Sequence, residues 1–324
     1  MTRLVLPEHT AARLRNSGDR VLVTGASGWL GQAALEMLAH TLGPRWTERV
    51  QCFGSTSRSL ELRDGLVVTQ RPLAEMATLP CRPSMLLHYA YLTREKVTGM
   101  SPEAYVAVNR AISRQTAEAA GRVGVDRVFL TSSGAVYAAM AAPGTTDPSL
   151  LYGHLKREDE DLFAAYATHA AGRRVMTARL FNLSGPYINK LGSYALASFI
   201  EQARRGGKIE IRAAHPVIRS YTSAANLLSV AFGGLLADDG DPVLCFDTAG
   251  EREVEVQELA DVVRATVNPE AAVCRTSMLP VSADRYVGDG RRYHALATDY
   301  GVLPHDLPRQ VADTAEFLSH AQHH

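Results

Sequence analysis

Apolar residues along the chain fall into short runs separated by stretches in which they recur at helical spacing. Val21-Leu22-Val23 leads into Thr24-Gly-Ala-Ser-Gly-Trp-Leu-Gly31, and from Gln32 to His40 the apolar positions return every three or four residues, a pattern of strand, turn and helix. Arg49–Phe53 predicts a second strand, Ser84–His88 a third and Asp126–Thr131 a fourth, the last preceded by a helix over about residues 102 to 123. Parallel neighbours need a crossover between them, so strands alternating with helices over short links predict a parallel sheet covered on both faces. The expected class is α/β with a doubly wound parallel sheet.

Past Gly144 the alternation loosens. A helix is expected over about 152 to 167 and a strand at Arg174–Leu180, followed by Asn182-Leu-Ser-Gly-Pro-Tyr187, whose Gly and Pro interrupt regular structure. A helix near 194 to 205 and a strand over Lys208–Arg212 come next, and Pro242–Phe246 has the pattern of a strand returning to the main sheet. These boundaries divide the chain into an N-terminal extension (1–19), a sheet domain (20–181) and a smaller, partly discontinuous C-terminal lobe (182–324). The charge run Lys156-Arg-Glu-Asp-Glu-Asp161 reads as the solvated face of a helix.

With 324 residues, 46% hydrophobic and 21% charged, the chain can build the core of one or two domains, which excludes a disordered, collagenous or disulfide-stapled protein. Lys plus Arg and Asp plus Glu both number 34, so no global basic field exists to hold nucleic acid or an anionic membrane. Cys52, Cys81, Cys245 and Cys274 are scattered without a Cys-x-x-Cys pair, which points to a reducing, cytoplasmic setting and to no metal site. Pro7, Glu8 and His9 interrupt the early apolar run, and no stretch of about 18 apolar residues occurs later, so neither export nor a membrane span is expected. The closing His320-Ala-Gln-His-His324 is read as a tail apart from the chemistry.

Gly25, Gly28 and Gly31 fall at the turn after a strand and in the first turn of a helix. Missing side chains let backbone approach a pyrophosphate there, and the helix N-terminus offers N–H donors, so this segment, with Ser27, Trp29 and Leu30, is the candidate dinucleotide cradle. The second strand ends without the acidic residue that would accept the ribose hydroxyls of NAD. Ser55 and Arg58 stand there instead, and a guanidinium fork matches a 2′-phosphate, which leans the cofactor from NAD towards NADP. Tyr152 and Lys156 lie four apart, hence one turn apart on one helix face. A cationic Lys beside a phenol favours phenolate and lowers the Tyr pKa from about 10 towards working pH, as a general acid/base for a sugar hydroxyl requires. Upstream, Leu130-Thr-Ser-Ser-Gly-Ala-Val-Tyr137 delivers hydroxyls at a strand end, the rim where doubly wound sheets bind ligands.

Thr24–Gly31, Thr131–Tyr137, Tyr152-Gly-His-Leu-Lys156 and Arg179-Leu-Phe-Asn-Leu-Ser-Gly-Pro-Tyr187 together resemble the extended short-chain dehydrogenase/reductases. More narrowly, over about residues 20 to 301, the chain resembles the NAD-dependent epimerase/dehydratase family of nucleotide-sugar enzymes. The resemblance implies a Rossmann fold with Tyr152 as catalytic acid/base, Lys156 holding the nicotinamide ribose, and Ser133, in preference to Ser132, bonding the reacting oxygen. It also implies that Asn109 supports the site, that Asn182 contacts the nucleotide diphosphate, that Arg219 binds phosphate, and that the protein pairs as a homodimer.

The chain departs from that family in several places. Ser133 is followed by Gly134-Ala135 where the elimination branch carries Asp-Glu, so 4,6-dehydration lacks its second catalyst. Val68–Leu73 replaces the Gly-Asp-Leu/Ile stretch that meets adenine, Tyr89 and Tyr91 are bulkier than usual, and no Arg-x-Gly-Asp pattern supplies a second phosphate Arg. The expected activity is NAD(P)-dependent hydride transfer at a carbinol of a nucleotide sugar, with an epimerase placed first. An NADPH-dependent ketoreductase is the alternative, and a non-catalytic dinucleotide sensor the third reading.

Overall fold

The structure, a computed structural model, describes residues 3–93, 99–144 and 147–321; the last three residues of the tail lie outside them. The chain divides into two compact units. One holds Leu4–Leu180 and Ala231–Phe246, the other Phe181–Val230 and the chain from Asp247 on.

In chain order the first unit contains α1 (Glu8–Ser17), β1 (Arg20–Thr24), α2 (Trp29–Leu42), β2 (Val50–Gly54), β3 (Arg58–Glu61), β4 (Val67–Pro72) and β5 (Ser84–His88). Then follow α3 (Pro102–Val123), β6 (Val125–Ser133), α4 (Ala135–Ala141), α5 (Leu151–Thr168) and β7 (Arg174–Leu180). The strands form one eight-stranded sheet in the order Val243–Asp247, β7, β6, β5, β1, β2, β4, β3. From β7 across to β4 the neighbours are parallel, as a doubly wound sheet requires. Every residue of β1 and β5 is buried, which is why these strands are almost continuously apolar in sequence. Leu22, Phe53, Leu86, Val128 and Val175 from the sheet meet Val123 and Phe163 from the helices in one core.

At the foot of the sheet Arg20, only 1% exposed, satisfies its guanidinium with Ser84 Oγ at 3.0 Å and the carbonyls of Pro80 and Val123 at 2.9 and 2.6 Å. One side chain thereby ties the start of β1 to β5 and to the end of α3. Residues ahead of β1 are built into this unit: Leu14 of α1 is wholly buried, and Arg49 caps the carbonyl of Leu14 at 2.9 Å.

The return from β2 to β4 is made by an edge strand where the rest of the sheet uses helices. β3 runs antiparallel to β4 around a turn in which Asp64 and Gly65 both have positive φ, 57° and 69°. Asp-Gly is the hairpin signal in this stretch, and the exposed Arg58, Ser59 and Glu61 keep the edge polar. Ser55 lies in the bend after β2, whereas Arg58 opens β3 and is no part of a free loop.

The second unit carries small sheets. Val217–Arg219 lies between Val254–Glu255 and Asp284–Tyr286, Asn182–Ser184 pairs with Tyr221–Ser223, and Lys208–Ile211 pairs with Ala272–Arg275. The helices Ala195–Arg204, Val256–Val267 and Leu307–Ala321 pack on one another. No helix among the described residues is long and apolar enough to cross a membrane.

Candidate functional site

Gly25 adopts φ +71°, and a Cβ there would lie 2.5 Å from the nitrogen of Ala90 and 2.6 Å from the carbonyl carbon of Tyr89. A Cβ on Gly31 would lie 2.3 Å from the oxygen of Gly25. The turn is thus pressed between the exit of β5 and the start of α2, where only glycine fits. Gly28 is the N-cap of α2 and no side chain caps the helix, the arrangement that offers a helix N-terminus to an anion. Trp29 and Leu30 are buried, so they enter the turn through backbone. Ser27 accepts a bond from Gln32 Nε2 at 3.1 Å through its carbonyl. The cradle fits a pyrophosphate. Beyond it, the wholly buried Gln70 fills the space beside Gly54 and donates to Thr56 O at 2.8 Å, so the end of β2 is packed by a neutral amide. Arg58 is exposed, with Nη2 3.4 Å from Thr56 Oγ1.

Tyr152 and Lys156 sit on the first turns of α5. Between them Gly153 allows a tight helix crossing: a Cβ there would lie 2.3 Å from the oxygen of Ala135 and 3.0 Å from Ala139 Cβ in α4. That contact carries the Tyr152 turn to the residue two past Ser133, which ends β6 and accepts a bond from Ala135 N at 3.2 Å. Ser132 is committed elsewhere. It donates to Glu160 at 2.6 Å, and Arg179 grips the same carboxylate at 2.9 and 2.7 Å while reaching Tyr137 Oη at 3.0 Å. That grip holds the guanidinium well above the usual arginine range.

Lys156 is 4% exposed. Its Nζ donates to Thr131 O at 3.0 Å and to Asp159 Oδ2 at 3.4 Å, and it lies 3.4 Å from the centre of the Tyr91 ring. The Tyr91 ring also meets Tyr152 edge to face, 5.9 Å between centroids. Asp159 accepts a bond from Ser113 of α3 at 2.5 Å. Burial pulls Lys156 below the usual lysine range against the opposing charge of Asp159, and pushes Asp159 up against Lys156. His88, bonded to Thr24 Oγ1 at 2.6 Å, is pushed down to about 3 by burial and then by Lys156, so it stays neutral at working pH. Asn109 accepts from Leu92 N at 2.8 Å, and Tyr105 donates to Leu92 O at 2.7 Å; both anchor the backbone next to Tyr91.

The charge run in α5 is therefore not a solvated face throughout. Lys156, Asp159 and Glu160 are buried, while Arg157, Glu158 and Asp161 are not. Positions 156, 159, 160 and 163 follow helical spacing and share a face with the core residue Phe163, a periodicity that marks Asp159 as an inward carboxylate. Asp159, Ser113 and Gly153 belong to this cluster of contacts although the sequence motifs omit them, and Tyr91 stands out in the sequence only for bulk.

Asn182 and Arg219 lie in the other unit. Asn182 Nδ2 is 3.5 Å from the carbonyls of Ser220 and Tyr286. Arg219 donates to Asp284 Oδ2 at 2.7 Å and to the carbonyls of Asp284 and Ile218, each at 2.9 Å. A cavity of about 260 Å³ in this unit is lined by Tyr221, Thr222, Asn226, Gly250, Tyr293 and His294 among others, and by neither Asn182 nor Arg219.

The sheet order and glycine turn define a doubly wound, dinucleotide-binding class of protein. Residues 21–230 match the model of the NAD dependent epimerase/dehydratase family, and the chain belongs to that family. A stretch of 164 residues, 48% of the chain, is 27% identical to UDP-glucuronic acid decarboxylase 5 of Arabidopsis thaliana and spans 47%, about half, of that relative. Among solved structures, the UDP-glucose 4-epimerase of Thermotoga maritima with UDP-glucose superposes with a TM-score of 0.71 at 17% identity, covering 94% of this chain and 99% of that one. The UDP-N-acetylglucosamine 4-epimerase of Methanobrevibacter ruminantium M1 in complex with UDP-N-acetylmuramic acid gives 0.72 at 16% identity and the same coverage. At these identities the likeness is one of fold.

Proposed function

We propose that the chain transfers hydride between a bound nicotinamide dinucleotide and a carbinol carbon of a nucleotide sugar, and that it works as an epimerase. The observation that carries this reading is a continuous run of contacts in the sheet unit. The glycine turn presses on Tyr89-Ala90, Tyr91 lies on Lys156 and against Tyr152, and Lys156 reaches Thr131, two residues before Ser133. This run supports Tyr152, Lys156 and Ser133 as one group near the carboxyl ends of β1, β5 and β6, where doubly wound sheets take their ligands.

The dinucleotide supplies the hydride acceptor and donor when bound. Tyr152 takes the hydroxyl proton at Oη and later returns it, Ser133 donates to the reacting oxygen, and the charge of Lys156 favours the phenolate. Gly134 and Ala135 carry no carboxyl group for elimination, which supports epimerisation over dehydration. The UDP-sugars named for the relatives support a UDP-sugar as substrate. Ser55 and Arg58, with no acid at the end of β2, support NADP, and a dissociable NADP is what favours the ketoreductase as second reading. In the smaller unit Asn182 and Arg219 are the residues assigned to the diphosphate, Arg219 after release from Asp284. A cytoplasmic homodimer accompanies this reading.

The test is to incubate the purified protein with NAD or NADP and a panel of UDP-sugars and to resolve the products by NMR. A new epimer without net cofactor consumption supports the epimerase. Stoichiometric NADPH oxidation moves the reading to the ketoreductase, and cofactor retention with no conversion of any sugar moves it to the sensor.

A further inference from the structure

We propose that Tyr91 and Asp159 are positioning residues that clamp Lys156 from two sides and keep its ammonium charged beside Tyr152. The clamp is read from geometry alone; only its use in catalysis rests on the function proposed above.

A buried ammonium with no counter-charge gives up its proton instead of remaining an isolated ion. Among the described residues, the surroundings of Lys156 leave one candidate for that counter-charge. Glu160, the other buried carboxylate of α5, is taken up by Arg179 and Ser132. Asp159 is 3.4 Å from Nζ, is itself 4% exposed, and is fixed from α3 by Ser113. Asp159 also lines a cavity of about 170 Å³ shared with Tyr91, Asn109, Arg110 and Glu158.

The second jaw is the ring of Tyr91. Nζ sits over its face at 3.4 Å, well inside the range of about 6 Å over which an aromatic face attracts a cation, and its edge relation to Tyr152 fixes the two catalytic candidates to one body. The anchoring of Leu92 by Asn109 and Tyr105 keeps this ring in place. Among the described residues, the other titratable groups near Lys156 are Glu160 and, one turn back, Tyr152 from its own helix, and His88 from β5, which burial keeps neutral; Tyr105 of α3 faces Tyr91. Arg110 and Glu158 at the cavity are bonded to each other at 2.7 Å through both oxygens.

The chain has four lysines, Lys96, Lys156, Lys190 and Lys208, so nitrogen-15 labelling of lysine gives an Nζ spectrum simple enough to titrate residue by residue. Asp159→Asn is expected to lower the Lys156 midpoint by about one to three pH units. Tyr91→Leu is expected to lower it by about half to one pH unit, and Tyr91→Phe, which keeps the aromatic face, to leave it near wild type. Should Asp159→Asn fail to fold, Ser113→Ala removes one of the bonds that favour the Asp159 carboxylate and is expected to move the Lys156 midpoint in the same direction. A Lys156 midpoint that stays put in Tyr91→Leu and in Asp159→Asn or its Ser113→Ala replacement overturns the clamp. In a working enzyme the pH at which kcat/KM is half-maximal rises in Asp159→Asn along with the loss of lysine charge. The titration needs no substrate, so inactivity towards every nucleotide sugar refutes the function and leaves the clamp standing, while turnover with an unmoved midpoint does the reverse.

Discussion

Lys156 and Arg219 each face one carboxylate, and by distance alone Arg219 has the better partner, 2.7 Å against 3.4 Å. Their surroundings differ in the opposite sense. The Lys156 and Asp159 side chains are 5% and 6% exposed, those of Arg219 and Asp284 21% and 50%. Water screens the second pair and reorganises freely if one member leaves, whereas the first pair has given up its hydration and depends on the partner, the ring and the carbonyl around it. Burial, and not bond length, decides which charge the protein has built around: Lys156 is locked in place, whereas water can replace Asp284 beside Arg219 at small cost.

The strongest way to test the buried side of this comparison is Tyr152→Phe. It removes one oxygen next to the Lys156 clamp, and turnover of the nucleotide sugar is expected to fall by about two to four orders of magnitude with cofactor affinity unchanged by equilibrium binding; wild-type rates would sink the assignment. Glu160→Ala comes next. It strips the half-buried Arg179 and the buried Ser132 of their partner and should cost about 3 to 5 kcal/mol in urea-induced unfolding, and a loss below 1 kcal/mol would show that this network is as soft as the exposed pair. Arg58→Ala probes an exposed cation whose guanidinium lies 3.4 Å from the hydroxyl of Thr56. NADP affinity should drop about tenfold or more, from the loss of a charge-assisted bond, with NAD affinity little changed; equal effects on both would remove Arg58 from the 2′-phosphate.

The smallest effect is expected at Arg219→Ala, under about 1 kcal/mol of stability and smaller still in high salt. Its pH signature has a definite sign. The Arg219 hydrogen bond holds the Asp284 carboxyl below the usual range, so this contribution is present above an ordinary carboxylate pKa of about 4 and is lost as pH falls through the depressed folded value. Arg219→Ala should flatten that limb of the stability curve, and an unchanged acid limb would mean that Asp284 is held down by something else.

Much of the fold was legible in the chain. The apolar runs of β1 and β5 and the helix over 102 to 123 follow directly from periodicity, because a strand buried on both faces must be apolar throughout and a packed helix must repeat every 3.6 residues. The edge hairpin was harder to see. β3 and β4 are short and half-exposed, and their signal reduces to Asp64-Gly65 between alternating positions. At the candidate site the glycines, Ser133, Tyr152 and Lys156 stand out because their spacing is local. Asp159, Ser113 and Tyr91 do not, since they come from a helix, a second helix and a strand exit that meet only through packing.

The sequence by itself determined the alternation of strands and helices, the glycine turn, and the one-turn spacing of Tyr152 and Lys156, all properties set by neighbours within a few residues. Only the tertiary structure decided which members of the α5 charge run are buried, that Ser132 goes to Glu160 while Ser133 stays at the rim, and that Tyr91 and Asp159 close on Lys156. Those outcomes depend on desolvation and on contacts between residues up to 65 positions apart, from Tyr91 to Lys156, and no local pattern carries that information.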